Sequence, residues 1–128
     1  MGRILIVEDD DTLRGCIREI LEDEGYEILD AADGRQALDL ATSLDLDLII
    51  SDIEMPGLSG GDLLIVLQNL PSARDIPVIA ITGLSDLRRA TDTGFMAILR
   101  KPFDLEEMLE VVQQALADHS SLPQTSTR

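Results

Sequence analysis

Four short apolar runs in this chain each end in residues able to handle a phosphoryl group. Ile4-Leu5-Ile6-Val7 leads into Glu8, Asp9 and Asp10, and Leu48-Ile49-Ile50-Ser51 into Asp52. Val78-Ile79-Ala80-Ile81 leads into Thr82, and Met96-Ala97-Ile98-Leu99 into Arg100, Lys101 and Pro102. Carboxylates, a hydroxyl and an ammonium are the groups that a phosphoryl-transfer site draws on. In an open parallel α/β sheet, ligands bind beyond the carboxyl ends of the strands. Four such ends side by side would bring these groups into one pocket, and that joint placement says more than any single motif.

The elements that must position them alternate along the chain. A strand over about Arg3 to Val7 gives way to a helix with Leu13, Ile17, Ile20 and Leu21 on one face, stopped at Gly25. A second strand, Tyr26 to Ala31, passes through Asp33-Gly34 to a helix carrying Ala37, Leu38, Ala41 and Leu44. The third strand, Asp47 to Ser51, precedes the loop Met55-Pro56-Gly57-Leu58-Ser59-Gly60 and a helix ending near Pro71. Strand four is Pro77 to Ile81 and strand five about Phe95 to Leu99, with only a short helical segment between, near Asp86 to Thr93. The last helix opens at Asp104 with Glu107 completing a capping box, and Leu105, Met108, Leu109, Val112 and Leu116 form its stripe. Strands one, three and four are nearly continuous apolar runs, as parallel strands covered on both faces require. Alternation of this kind predicts right-handed crossovers and an α/β, doubly wound sheet. One domain over residues 1–119 with a polar tail over 120–128 is expected, without repeat, linker or second domain.

The composition sets limits. A chain of 128 residues can bury a real core, built here on Leu, Ile, Val and Ala because only two Phe and one Tyr are present. A formal charge of −15 argues against nucleic acid and against an anionic membrane surface. The single Cys16 excludes an internal disulfide and fits a reducing compartment; it falls beside the apolar face of the first helix and is expected in or near the core. No stretch could serve as a signal-peptide core or span a bilayer, and Ile6 stands where a myristoylation signal needs Ser or Thr. A cytoplasmic protein is expected.

Each candidate also has a plainer reading. Glu8 to Asp11 could be a charged helix start, since acids favour the positive end of the helix dipole. Asp52 could be a turn residue or a metal-binding Asp of a nucleotide hydrolase, but no phosphate-cradling Gly-x-x-x-x-Gly-Lys motif occurs. Thr82 before Gly83, and Lys101 before Pro102, could be ordinary loop residues. His119 has no partner spacing and reads as a solvated helix-end residue, and the Met residues as gap-fillers.

The blocks ILIVEDD (4–10), LIISDIEMPGLSG (48–60), IPVIAIT (76–82) and RKPF (100–103) together resemble the receiver domain of two-component response regulators, over roughly residues 3 to 118. The resemblance implies a five-stranded, flavodoxin-like sheet of order 2-1-3-4-5. It implies Asp52 as phosphoacceptor, Glu8 and Asp9 as an acidic pair, and Mg²⁺ bound beside it, with the Glu54 backbone carbonyl as a further ligand. Thr82 and Lys101 match the hydroxyl and ammonium that hold the phosphoryl group, and the Lys101–Pro102 bond is usually cis. The partners implied are a histidine kinase or histidine phosphotransfer protein and a downstream target protein. Oligomeric state stays open.

The residue types suit that role. Two carboxylates at about 4 Å repel by about 4 kcal/mol at an effective dielectric of about 20, which a hard divalent cation relieves. Carboxylate attack on phosphorus leaves an acyl phosphate whose equatorial oxygens need neutralising, in part by a mobile Lys. Two other classes share features. A haloacid-dehalogenase-like phosphatase also uses a strand-end Asp and Mg²⁺, but normally has a second Asp where this chain has Glu54, and a cap insertion. A non-phosphorylated receiver-like module would not need the five functional positions filled.

Three departures from the family bear on output. On the third helix, Leu63, Leu64, Val66, Leu67 and Leu70 share an arc, leaving Ile65 opposite, where relatives usually carry charge. Ile65 is either a stray exposed side chain or a small docking spot; the first is common. Receivers commonly place an aromatic ring three residues before the Lys, where this chain has Ile98. The Thr82-to-Lys101 interval is also about three residues shorter than usual, nearly one helical turn, which implies a shortened fourth helix. Signalling carried by the loops around Asp52, rather than by the face near strand five, is therefore expected.

Overall fold

The computed structural model describes residues 2–54, 57, 60–83 and 94–125. Strands β1 (Arg3–Val7), β2 (Glu27–Ala31), β3 (Leu48–Asp52), β4 (Val78–Thr82) and β5 (Ala97–Arg100) form one sheet. All pairings are parallel, in the order β2-β1-β3-β4-β5. Helices α1 (Asp11–Asp23), α2 (Gly34–Ser43), α3 (Gly60–Gln68) and α4 (Leu105–Thr125) cover it, as the sequence pattern and the resemblance both predict. The expected short helix near residues 86–93, and residues 55, 56, 58 and 59 of the loop after β3, lie outside the described residues.

Alternation along each strand divides the core. Ile4, Ile6, Leu48, Ile50, Ile79, Ile81 and Leu99 pack with Ile17 and Leu21 of α1 and Met108 and Val112 of α4. Leu5, Val7, Ile49 and Val78 face the other way, onto Ala37 and Ala41 of α2 and Leu63, Leu64 and Leu67 of α3. Side chains of successive strand residues point to opposite faces, so each unbroken apolar run feeds both layers.

Local chemistry sets the helix ends. Asp10 caps α1, accepting from Thr12 N at 3.0 Å and Leu13 N at 3.2 Å, and Asp33 caps α2, accepting from Gln36 N at 2.8 Å. Asp104 accepts from Glu107 N at 2.7 Å and starts α4. Gly25, at φ 96°, supplies the left-handed residue that turns the chain out of α1. Helix α3 stops at Gln68, short of Pro71, where Asn69 Nδ2 donates to the Ile65 carbonyl at 2.8 Å and so satisfies a terminal acceptor. Helix α4 continues past residue 119, where the sequence reading ends the domain, to Thr125.

Three side chains differ from expectation. Cys16 is exposed, not core: it lies about 120° around the helix from the centre of the arc marked by Ile17 and Leu21. Leu105 is also exposed, and Ala115 takes a buried place on α4 that the apolar stripe did not include. Ile65 is 53% exposed, opposite the buried Leu63, Leu64 and Leu67. Ile65→Lys is expected to change stability by no more than about 0.5 kcal/mol, which urea denaturation checks; a larger loss would show that Ile65 packs against the fold.

Candidate functional site

Strand arithmetic builds the site. Glu8 and Asp52 share the parity of Ile6 and Ile50, and Lys101 that of Leu99, so all three continue the rows on the α1/α4 face of the sheet. Register brings them level, with Val7 opposite Ser51, Asp52 opposite Ile81 and Thr82 opposite Arg100. The Lys101–Pro102 peptide bond is cis, as the resemblance implies, and Lys101 N donates to the Thr82 carbonyl at 2.8 Å.

Lys101 Nζ stands 3.1 Å from Asp52 Oδ2 and 3.4 Å from Glu8 Oε1. Asp52 Oδ1 accepts from Glu54 N at 3.1 Å, and Glu8 Oε2 accepts from Asp10 N at 3.1 Å. One carboxylate oxygen from each of Glu8, Asp9 and Asp52 lies within 4.8 Å of the others, Glu8 and Asp52 buried and Asp9 exposed. The sequence candidates Glu8, Asp9, Asp52 and Lys101 are thus brought together. Thr82 is fully buried, and its hydroxyl donates to the Gly83 carbonyl at 3.0 Å. Glu54 meets Asp52 through its N–H.

The electrostatics follow from burial. Loss of solvent raises the Glu8 carboxyl; the Asp10 N–H pulls it down, while the charge and hydrogen bond of Asp52 push it up again, to about 7. Partial burial works against the Lys101 ammonium, but its hydrogen bond to Asp52 and the charges of Asp52 and Glu8 outweigh that and raise its pKa. Glu8 Oε1 is buried and accepts no hydrogen bond among the described residues, Lys101 lying within ion-pair distance but outside hydrogen-bond geometry. An orphaned buried carboxylate oxygen beside two more carboxylates is the donor set of a hard divalent cation, so the residues fit Mg²⁺.

Sequence reasoning missed Arg14. Its guanidinium donates to the Glu8 carbonyl at 2.7 Å and pairs with Asp11. Beside Lys101, a cleft of about 590 Å³ opens between α1 and the β5–α4 loop, lined by Leu13, Cys16, Phe103 and Leu105 among others. No helix among the described residues is long and apolar enough to cross a membrane.

Comparisons with known proteins place this geometry. The family model described as "Response regulator receiver domain" matches residues 4–113. The transcriptional regulatory protein PdtaR of Mycobacterium tuberculosis is 36% identical over 119 residues, covering 90% of this chain and 57% of that protein. The chain spans about half the length of several such curated relatives, 53–57%. The solved receiver domain of a signal transduction histidine kinase from Syntrophus aciditrophicus is 37% identical, with a TM-score of 0.85 and 91% of each chain covered. The receiver domain of sensor histidine kinase PA1611 from Pseudomonas aeruginosa, solved with magnesium coordinated in its active-site cleft, is 28% identical, with a TM-score of 0.85 over 91% of this chain and 98% of that one. Receivers are signalling domains that bind Mg²⁺ in an acidic pocket and work with histidine kinases and downstream targets, and the phosphatase reading finds no support beside them. With the strand order, the acidic cluster and a match over nearly the whole sheet in agreement, the chain belongs to the response regulator receiver domain family.

Proposed function

We propose that this receiver accepts a phosphoryl group on Asp52 from a phosphohistidine of a sensor kinase or phosphotransfer protein, and signals by protein–protein contact. The supporting observation is the meeting of Asp52 with Lys101 at 3.1 Å and with the Glu8 and Asp9 carboxylates at the strand ends. A carboxylate oxygen of Asp52 forms the new bond to phosphorus as the histidine N–P bond breaks, the electron pair returning to the imidazole nitrogen. Mg²⁺ on Glu8, Asp9, Asp52 and the Glu54 carbonyl supplies charge neutralisation for the phosphoryl oxygens when bound.

Lys101 carries its ammonium on a flexible stem and can leave Glu8 to follow the phosphoryl group. Thr82 exchanges a neutral bond to the Gly83 carbonyl for a stronger charge-assisted one to a phosphoryl oxygen. The modification adds roughly −1.5 to −2 of charge, a local change able to bias a two-state surface. The cleft beside Lys101 offers apolar surface to the protein that delivers the phosphohistidine. The charge of −15 points to a protein target rather than nucleic acid for these 128 residues. The similar magnesium-bound receiver supports the choice of cation.

Incubation with a small phosphodonor and Mg²⁺ tests the reading. Labelling that stops near one phosphoryl group per chain is expected; continuous turnover of phosphoesters would indicate a phosphatase, and no labelling a silent module. Lys101→Ala is expected to leave Mg²⁺ affinity unchanged or tighter, since it removes a competing cation, while abolishing the phosphorylation-dependent gain in target binding. Calorimetry and target titration with an acyl-phosphate mimic separate the two effects.

A further inference from the structure

We infer that Arg14 is a positioning residue for the acidic pair, fixing the backbone of Glu8 so that its carboxylate is aimed at the cation before the cation arrives; this rests on the proposed Mg²⁺ site. Arg14 lies one turn into α1, and its side chain is only 18% exposed. Its Nη1 donates to the Glu8 carbonyl at 2.7 Å, while its Nη2 pairs with Asp11 on the same helix. The Glu8 N–H donates to the Ala31 carbonyl of β2 at 3.1 Å. Glu8 is therefore held through both of its own backbone polar groups, one by the neighbouring strand and the other by Arg14. The Arg14 N–H in turn donates to the Asp10 carbonyl at 2.9 Å, so the turn carrying Glu8, Asp9 and Asp10 is tied at both ends to the first turn of α1.

The guanidinium meets the Glu8 carbonyl and not its carboxylate. Removing its positive charge from beside the acidic cluster would by itself tighten Mg²⁺ binding, so a weakening reports on geometry rather than on charge. A planar fork that bridges a carbonyl and a carboxylate is something Arg does and Lys does only in part. Partners that orient metal ligands cost about 10- to 100-fold in metal affinity when removed.

The test is calorimetric Mg²⁺ titration of the full chain. Arg14→Met keeps the apolar stem and removes both donors. It is expected to weaken Mg²⁺ binding about tenfold, while the labelling rate at saturating Mg²⁺ stays at the wild-type value. Arg14→Lys, which restores one donor, is expected to recover part of the affinity. Wild-type affinity in Arg14→Met, or no recovery in Arg14→Lys, overturns the inference and leaves the Mg²⁺ site standing. Wild-type protein that binds no Mg²⁺ overturns both. If Arg14→Met does not fold, Arg14→Lys alone decides, with weakened binding supporting the role and unchanged binding refuting it.

Discussion

Asp52→Asn is expected to take up no phosphoryl group from either a small phosphodonor or a phosphohistidine, the largest functional effect of any single substitution in this chain. The amide is the same shape, so it can still accept from Glu54 N, which Asp52 meets at 3.1 Å. What it lacks is a charged oxygen able to form a bond to phosphorus. Removing the negative charge also takes away one contributor to the raised Glu8 pKa and one candidate cation ligand. Intact mass after incubation with donor and Mg²⁺ checks this. A variant that labels to the wild-type extent would show that another side chain is the acceptor.

Glu8→Gln is expected to stabilise the cation-free protein at pH 8 by about 3 kcal/mol while removing most of the Mg²⁺-dependent stabilisation. The sign follows from linkage. In the unfolded chain this carboxyl ionises near 4.5, and in the folded protein near 7. Between those values the folded state holds a proton that the unfolded state has released, so stability falls as pH rises through the window. Above about 7 the full cost of burying the charge remains. Gln has no charge to bury, keeps an acceptor for Asp10 N, and can donate toward Asp52. Urea denaturation in chelator should therefore show the gain at pH 8 shrinking towards zero by about pH 5. A variant less stable than wild type at pH 8, or a difference independent of pH, would contradict the account. The site then carries a stability cost in the free protein that the bound cation offsets.

Most of the fold and the cluster could be read from the sequence because both depend on periodicity. Runs such as Ile4 to Val7 and Val78 to Ile81 fit strands covered on two faces, and their carboxyl ends share one edge of a parallel sheet, while the strand order came from the family resemblance. The carboxyl ends of strands three, four and five lie one residue further on because the ladder runs into the site, and strand five begins two residues later, at Ala97. Asp52 and Thr82 were expected just past strands three and four, yet both belong to them, since Ile53 N still reaches the Ile81 carbonyl and Lys101 N the Thr82 carbonyl. Cys16 went astray for a related reason: one residue around a helix is 100°, enough to carry a small apolar side chain from the edge of the buried arc into solvent. Arg14 was not legible at all. A sequence shows an Arg after an acidic run, but only the fold shows that it reaches back to the Glu8 carbonyl instead of pairing along the helix surface alone. The roles assigned to Thr82 and the Glu54 carbonyl came from family resemblance, because strand periodicity places residues and does not tell which lone pair meets a cation.

Locating the phosphoryl group on the wild-type chain decides whether Asp52 is the acceptor. After brief treatment with a small phosphodonor, borohydride reduces an aspartyl phosphate to homoserine, and peptide sequencing by mass spectrometry finds where. Homoserine is expected at position 52 alone, dependent on Mg²⁺ and absent when a chelator is present. Homoserine at position 9, or modification that persists in chelator, would contradict it.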